Sequence, residues 1–437
     1  MILWAIVIIV YADCQNLEHI IVHGNVEDLG YYYIDIFVGN PPAKQSVIID
    51  TGSRLTAFPC KGCKTCGQHM NPYFDFDKSQ TSKFVACNDS EFCTNCNDDK
   101  CEYKISYAEG SIISGLMIED YILIGDDKEH LANISYKFGC HQEETNLFKS
   151  QKVDGIMGLA FSHKKSTIVD QIYKNSDSSE NLLAICLGKD DGYMTIGGYN
   201  QSLHFDTIKW TKLYEDLFYT IGLKSVSIGY QILPIDLKKA HKKTIIDSGT
   251  TFVYFIQEMY KEFWVVFENY CKNDNFCDGE VIIINNEPKS CYKRNKEKHQ
   301  SIYEFFDTFP TISMTIDKII INWLPENYLF SYPEYADIYC VGIYSTQEDI
   351  IVLGNIFMRG MEVIFDRSES RVGFAESSCD PLLIHGNSGA AHERHKRDLL
   401  KSSRSDSYFN LGLSITAFLV FYSIYLVMKK SKLWKKE

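Results

Sequence analysis

Several marks of common protein classes are missing from this sequence. Its twelve His residues include no HExxH spacing and stand in no obvious Ser-His-Asp context, so neither a zinc metalloprotease nor a serine hydrolase has support. Positive charge is also scarce. Forty-four Lys and Arg face 57 Asp and Glu, for a net charge of −13. Gripping a phosphate backbone takes clustered cations, so nucleic acid is excluded as a partner. The opening apolar run has no Lys or Arg before it, and no KDEL-type ending closes the chain. Residues 15–29 form a short polar lead-in with no room for a long inhibitory prosegment, so activation by removal of a large propeptide is not expected.

What is present points to a large core of strands. The 437 residues are 45% hydrophobic and 14% aromatic, enough to fill such a core, and 28 Tyr with 26 Phe favour strands over a helical bundle. Met1 to Ala12 (MILWAIVIIVYA) is apolar but short for a bilayer, and reads as part of a signal peptide over 1–14. Tyr408 to Met428 carries no charge and has the ~20 residues that a spanning helix needs. Lys429, Lys430, Lys432, Lys435 and Lys436 follow it, which predicts a type I anchor: helix 408–428 with a cytosolic tail at 429–437. The polar, Ser-rich stretch 381–407 before it reads as a stalk. Of the fifteen Cys, Cys14 falls at the signal-peptide boundary. Cleavage there leaves fourteen, and pairing is their default state in an oxidising compartment.

Between these ends, short strands alternate with Gly-rich turns to about residue 376; segments 31–38, 45–50 and 102–107 read as strands. The most informative feature is a repeat. Ile48-Ile49-Asp50-Thr51-Gly52-Ser53 returns as Ile245-Ile246-Asp247-Ser248-Gly249-Thr250. Each copy has a later echo, Val153-Asp154-Gly155-Ile156-Met157-Gly158-Leu159 and Ile350-Ile351-Val352-Leu353-Gly354-Asn355. Two homologous lobes explain this most simply, one over 30–205 and one over 206–380.

A single Asp-Thr-Gly is weak, because a turn with Asp capping it accounts for the motif equally well. Two copies in duplicated lobes differ in kind. An apolar strand leads to each Asp, and Gly52 and Gly249 let the next backbone come close. If the lobes are symmetric, Asp50 and Asp247 meet, cannot both ionise, and share a proton. One can then act as general base on water and the other as general acid toward a peptide carbonyl. Thr51 and Ser248 can bond across the pair, while Ser53 and Thr250 can hold its outer oxygens. No metal and no cofactor are needed.

The sequence resembles the pepsin-like aspartic proteases over roughly residues 26–380, through IIDTGS, VDGIMGLA, IIDSGTTF, IVLGNIFMRGMEVIFDR and SRVGFA. The resemblance implies a mostly β, bilobal fold and an aspartic endopeptidase acting on polypeptides. It implies a flap at Tyr107-Ala108-Glu109-Gly110-Ser111, with Tyr107 over the cleft. Two positions depart from the family pattern: Ala57 stands where a flap-supporting Trp is usual, and Asn355 replaces the Asp of Leu-Gly-Asp.

The cysteines of 60–101 (Cys60, Cys63, Cys66, Cys87, Cys93, Cys96 and Cys101) resemble a nepenthesin-type insert, although Cys60-x2-Cys63-x2-Cys66-x2-His69 alone also fits a zinc knuckle. With the short lead-in and the anchor, the chain is most similar to the plasmepsin V family of endoplasmic-reticulum proteases. That likeness implies a lumenal enzyme of the endoplasmic-reticulum membrane, cutting secretory proteins after the Leu of an RxL motif, with Glu109 holding the Arg. A secretory or surface protease without that preference, or a peptide-binding pseudo-protease, are the alternatives. Family resemblance also pairs Cys186 with Cys379, Cys271 with Cys277, and Cys291 with Cys340. The basic stretch 284–300 reads as a solvated loop or a docking patch, and Asn88, Asn133 and Asn200 lie in sequons.

Overall fold

Side-chain alternation builds the first sheet. Three strands, β1 (His19–Asn25), β2 (Tyr31–Val38) and β3 (Ala43–Asp50), pair in antiparallel order, with Gly24 opposite Tyr32 and Tyr33 opposite Ile48. Along β2 every second side chain is buried, as expected of a strand with one face on the core. The last six residues of β3 are all buried, because β3 lies between β2 and the parallel strand Gly155–Gly158. That neighbour ends level with β3, Gly158 beside Asp50.

The computed structural model describes residues 19–383, apart from 126–129, 162–165, 176–179, 215–216, 239–242, 273–275 and 285–286. The expected signal peptide, spanning helix and tail, and the stalk beyond residue 383, lie outside the described residues. Among the described residues no helix is long and apolar enough to cross a membrane.

Both copies of the repeat belong to one unit ending at Pro381. A continuous sheet joins them: β1 pairs with Gly192–Ile196, which pairs with Leu182–Leu187, which pairs with Met361–Asp366 from the second half. The lead-in expected over 15–29 therefore contributes a strand. Among the described residues of that stretch, Ile20, Val22 and Val26 are the buried ones, too few for its alternation to stand out in sequence. In the second half, Thr244–Ile246 runs parallel to Ile351–Leu353, repeating the arrangement of β3 and Gly155–Gly158. One apolar cluster runs from Ile34 and Ile49 to Phe255, Phe263 and Trp323, and a second lies beneath the flap.

Six disulfides close among the described residues. The three expected pairs form, together with Cys60–Cys140, Cys63–Cys66 and Cys87–Cys96. The zinc-knuckle alternative fails here, since Cys60, Cys63 and Cys66 have no thiolate left to bind a metal. Full pairing fails too. Cys93 and Cys101 remain thiols, Cys93 Sγ donating to Asn95 O at 3.2 Å, and burial pushes Cys101 up to about 12. The basic stretch is not the loop expected: Glu287–Arg294 is a strand paired with Gly279–Ile284 and Ile338–Val341, and Cys291 and Tyr292 are buried on it. Arg294 and Lys296 pair with Asp337, and Lys298 and His299 with Asp278, so part of its charge is met within the fold.

Candidate active site

Asp50 is the last residue of β3, and Asp247 directly follows the matching strand of the second half. The turns after them interlock. Thr51 N donates to Ser248 Oγ at 3.0 Å, and Ser248 N donates to Thr51 Oγ1 at 2.9 Å. The Thr51 hydroxyl then donates to Ile246 O at 3.0 Å, and the Ser248 hydroxyl to Ile49 O at 2.8 Å. All four bonds lie in the buried interior, where a lost partner is costly.

The carboxylates are held in the same symmetric way. Asp50 Oδ1 accepts from Gly52 N at 2.8 Å and Oδ2 from the Ser53 hydroxyl. Asp247 Oδ1 accepts from Gly249 N at 2.9 Å and Oδ2 from the Thr250 hydroxyl at 2.6 Å. A Cβ on Gly52 would stand 2.5 Å from Asp247 Oδ1, and one on Gly249 2.3 Å from Asp50 Oδ1. Each glycine thus makes room for the carboxylate of the other lobe. Burial first, and then the Asp247 carboxylate, push the Asp50 carboxyl well above the ordinary range; the Ser53 and Gly52 bonds oppose this only in part. Such a pair can carry one proton between two oxygens and act as acid and base at once.

The flap is the turn between strands Lys100–Ser106 and Ile112–Gly125. Tyr107 N donates to Ser111 O at 2.9 Å, and Gly110 takes φ +91°, the left-handed conformation this turn requires. The Tyr107 hydroxyl is buried and makes no hydrogen bond of normal geometry among the described residues. Burial, and then the charges of Asp50 and Glu109, hold its phenol far above the ordinary range. Ser111 is buried, whereas Glu109 is exposed on the turn and ion-paired to nothing among the described residues.

One supporting element carried no signal in the sequence. Helix α1 (Asn146–Ser150) lies against the flap. Its Phe148 ring packs on Tyr107 with centroids 4.9 Å apart. Asn146 Nδ2 donates to Gly110 O at 2.9 Å, and Leu147 N to Ser111 Oγ at 3.2 Å. Five residues are too few to display a helical period, so only the folded chain reveals it.

The geometry of paired lobes, paired Asp turns and a Tyr-bearing flap agrees with a comparison of whole sequences, in which the description "Eukaryotic aspartyl protease" matches residues 31–377. This chain belongs to the eukaryotic aspartyl protease family. As a member it is an aspartic endopeptidase, a hydrolase whose substrates are polypeptides. It is 26% identical to Aspartic protease 5 of Toxoplasma gondii, over 83% of this chain and 38% of that protein. It is 24% identical to plasmepsin V of Plasmodium falciparum, over 92% of this chain and 81% of that one. Aspartic proteinase 36 of Arabidopsis thaliana is 26% identical, over 87% and 80%. The chain therefore spans well under half of the Toxoplasma protein and about four fifths of the other two.

Both departures from the aspartyl protease pattern lie near the site. Ala57 is fully buried, and the aromatic ring packed on the flap Tyr comes from Phe148. Asn355 N donates to Thr250 O at 2.8 Å, just as Ala160 N donates to Ser53 O at 2.8 Å in the first lobe. The side-chain amide of Asn355 is buried with neither polar atom partnered.

Proposed function

We propose that Asp50 and Asp247 are the catalytic dyad of an endopeptidase that processes proteins in the secretory pathway. The observation that carries this reading is the mirrored bonding of the two Asp turns. Thr51 and Ser248 fix the turns to each other, and each carboxylate has one oxygen held by a backbone N–H and the other by a hydroxyl. The pair is preorganised, so little reorientation is needed as charge moves in the reaction. One carboxylate takes a proton from water as the oxygen attacks the peptide carbonyl. The other gives its proton to the carbonyl oxygen, and the tetrahedral intermediate then collapses as the leaving nitrogen is protonated. Tyr107 and the flap close over the substrate and exclude bulk water.

The substrate class we infer is secretory polypeptide with an RxL motif, cut after Leu. Glu109 supports this as an exposed carboxylate on the flap turn, with no cation paired to it among the described residues. A guanidinium offers paired donors that match a carboxylate. The similarity to plasmepsin V points the same way. Placement in the endoplasmic-reticulum membrane, with a lumenal catalytic part and helix 408–428 as anchor, belongs to the same proposal.

The test compares an Arg-x-Leu peptide with its Arg-to-Ala twin. Cleavage after Leu is expected in the Arg peptide, with kcat/KM for it falling roughly 10- to 100-fold in Glu109→Ala and little changed for the twin. Equal cleavage of both peptides by the unaltered protein indicates a general secretory protease. Cleavage of neither, from acidic to neutral pH, indicates a peptide-binding pseudo-protease.

A further inference from the structure

Outside the dyad, a buried cluster of ionisable residues lies where the Cys-rich loop meets α1. Glu144 ends the strand His130–Glu144 and has no solvent-exposed side-chain surface, and neither do His69 and His141. Glu144 Oε1 accepts from His141 Nδ1 at 2.6 Å; Oε2 meets His69 Nε2 at 3.0 Å and Gly67 N at 3.1 Å. On its other side, His69 Nδ1 lies 3.2 Å from the carbonyl oxygen of Gln151, the residue that closes α1. Met70 N donates to Lys152 O at 2.8 Å. Gly67 packs so close to α1 that a Cβ would stand 1.9 Å from Lys149 O.

The chemistry of these contacts fixes a charge. A carbonyl oxygen and a carboxylate oxygen have no hydrogen to give, and a neutral imidazole has one N–H. His69 faces such an acceptor at both nitrogens, so it satisfies both only as the imidazolium. His141 differs: Nδ1 donates to Glu144, while Nε2 is buried with no partner, which suits the neutral ring. The helix that His69 grips is the one whose Asn146, Leu147 and Phe148 hold the flap turn.

We propose that charged His69 is a positioning residue for the flap, acting through Gln151 and α1, so that deprotonating it loosens Tyr107 and sets a basic limit to activity separate from the dyad. This rests on the proteolytic reading of the site.

The ionisation preferences of the cluster agree. Burial works against the His69 cation, but the Glu144 bond and charge, the Gln151 carbonyl and the more distant Asp154 outweigh it and leave its value raised. The other groups facing His69 are His141 and the Tyr73 ring, 6.3 Å away. Burial also works against the Glu144 carboxylate, but the two imidazoles bring it to about 2. Burial depresses His141 despite its bond to Glu144. A raised His contributes its full stabilisation below its unfolded value and loses it as pH rises through the folded one. A lowered Glu contributes above its unfolded value and loses that as pH falls toward about 2. The clasp is therefore held from mildly acidic pH until His69 deprotonates.

The decisive measurement needs no activity. Imidazole C2-hydrogen exchange, followed by mass spectrometry on the full-length protein in detergent, reads each His midpoint separately. His69 is expected to titrate above the ordinary value of about 6.5 and His141 below it. A His69 midpoint at or below the ordinary value overturns the proposal, whatever the fate of the proteolytic reading. Backbone amide exchange at 107–111 supplies the second arm. In the unaltered protein it is expected to speed up roughly tenfold as pH crosses the His69 midpoint. In His69→Gln it is fast throughout with no such step, and KM rises more than kcat falls. A flap step that survives in His69→Gln, or no step in the unaltered protein, also overturns the proposal.

Discussion

The two Asp turns share six-residue sequences of one pattern and the same set of hydrogen bonds, yet they sit in unlike surroundings. Asp50 is 4% exposed, and the flap, with the half-buried Tyr107 whose hydroxyl is covered, belongs to its lobe. Asp247 is only half-buried, and Gly249 beside it is exposed. The shared bonds fix how the carboxylates point. Burial and the neighbouring Asp247 carboxylate both disfavour the charged form of Asp50, so we propose Asp50 as the member of the pair that keeps the shared proton.

The largest test of this comparison is to neutralise each Asp in turn. Asp50→Asn and Asp247→Asn are each expected to lower kcat by about 10^4 or more, since neither half works alone. Stability should separate them. A carboxyl raised in the fold costs stability as pH climbs from its unfolded value through the folded one, because the unfolded chain ionises first. Asp50→Asn removes that cost and should raise the melting temperature at neutral pH by a few degrees, corresponding to roughly 1–2 kcal/mol. The effect should vanish near pH 3, where the unfolded chain is also protonated. An equal gain from Asp247→Asn would show that the cover does not matter.

The interlocked turns allow a second, smaller test. Thr51→Val removes the hydroxyl that donates to Ile246 O and leaves the buried Ser248 N–H unpaired; Ser248→Ala does the mirror-image damage at Ile49 O and Thr51 N. Each is expected to cost about 2–3 kcal/mol, measured by denaturant unfolding at a common pH. The two losses should be similar, because the bonds are similar. They should not add in the double variant, since the four bonds form one network. Full additivity would mean that the lobes are locked by something else.

The meeting of the two Asp turns and their bonds were legible in the sequence for a simple reason. Two apolar residues, an Asp, a hydroxyl residue and Gly make a local pattern, and its repetition announces the symmetry that joins the copies. The parts that were not legible depend on contacts between segments far apart in the chain. Phe148 supports the flap from a helix too short to show a period, and His69 stands out in the sequence only as part of a possible zinc knuckle, an alternative that closes once Cys63 and Cys66 are seen to bond to each other. The opening strand His19–Asn25 buries too few side chains to stand out before its partners Gly192–Ile196 are in place. Cysteine count pointed to complete pairing, but Cys93 and Cys101 stay reduced in the fold.

The smallest test concerns the place where the lobes stop matching. At the end of the second echo, Asn355 occupies a site that is fully buried, and its amide finds no partner among the described residues. Its backbone N–H already makes the bond to Thr250 O that the symmetry requires. The side chain therefore contributes desolvation cost without a compensating bond, and an apolar group of similar shape should be tolerated. Asn355→Leu is expected to change unfolding free energy by less than about 1 kcal/mol, in the stabilising direction. Its effect on kcat/KM should be slight, because the bonds to Asp247 come from Gly249 and Thr250. A large loss of activity with stability intact would mean that the amide reaches the dyad through Thr250, making the departure from the family pattern a tuning device for the less covered Asp.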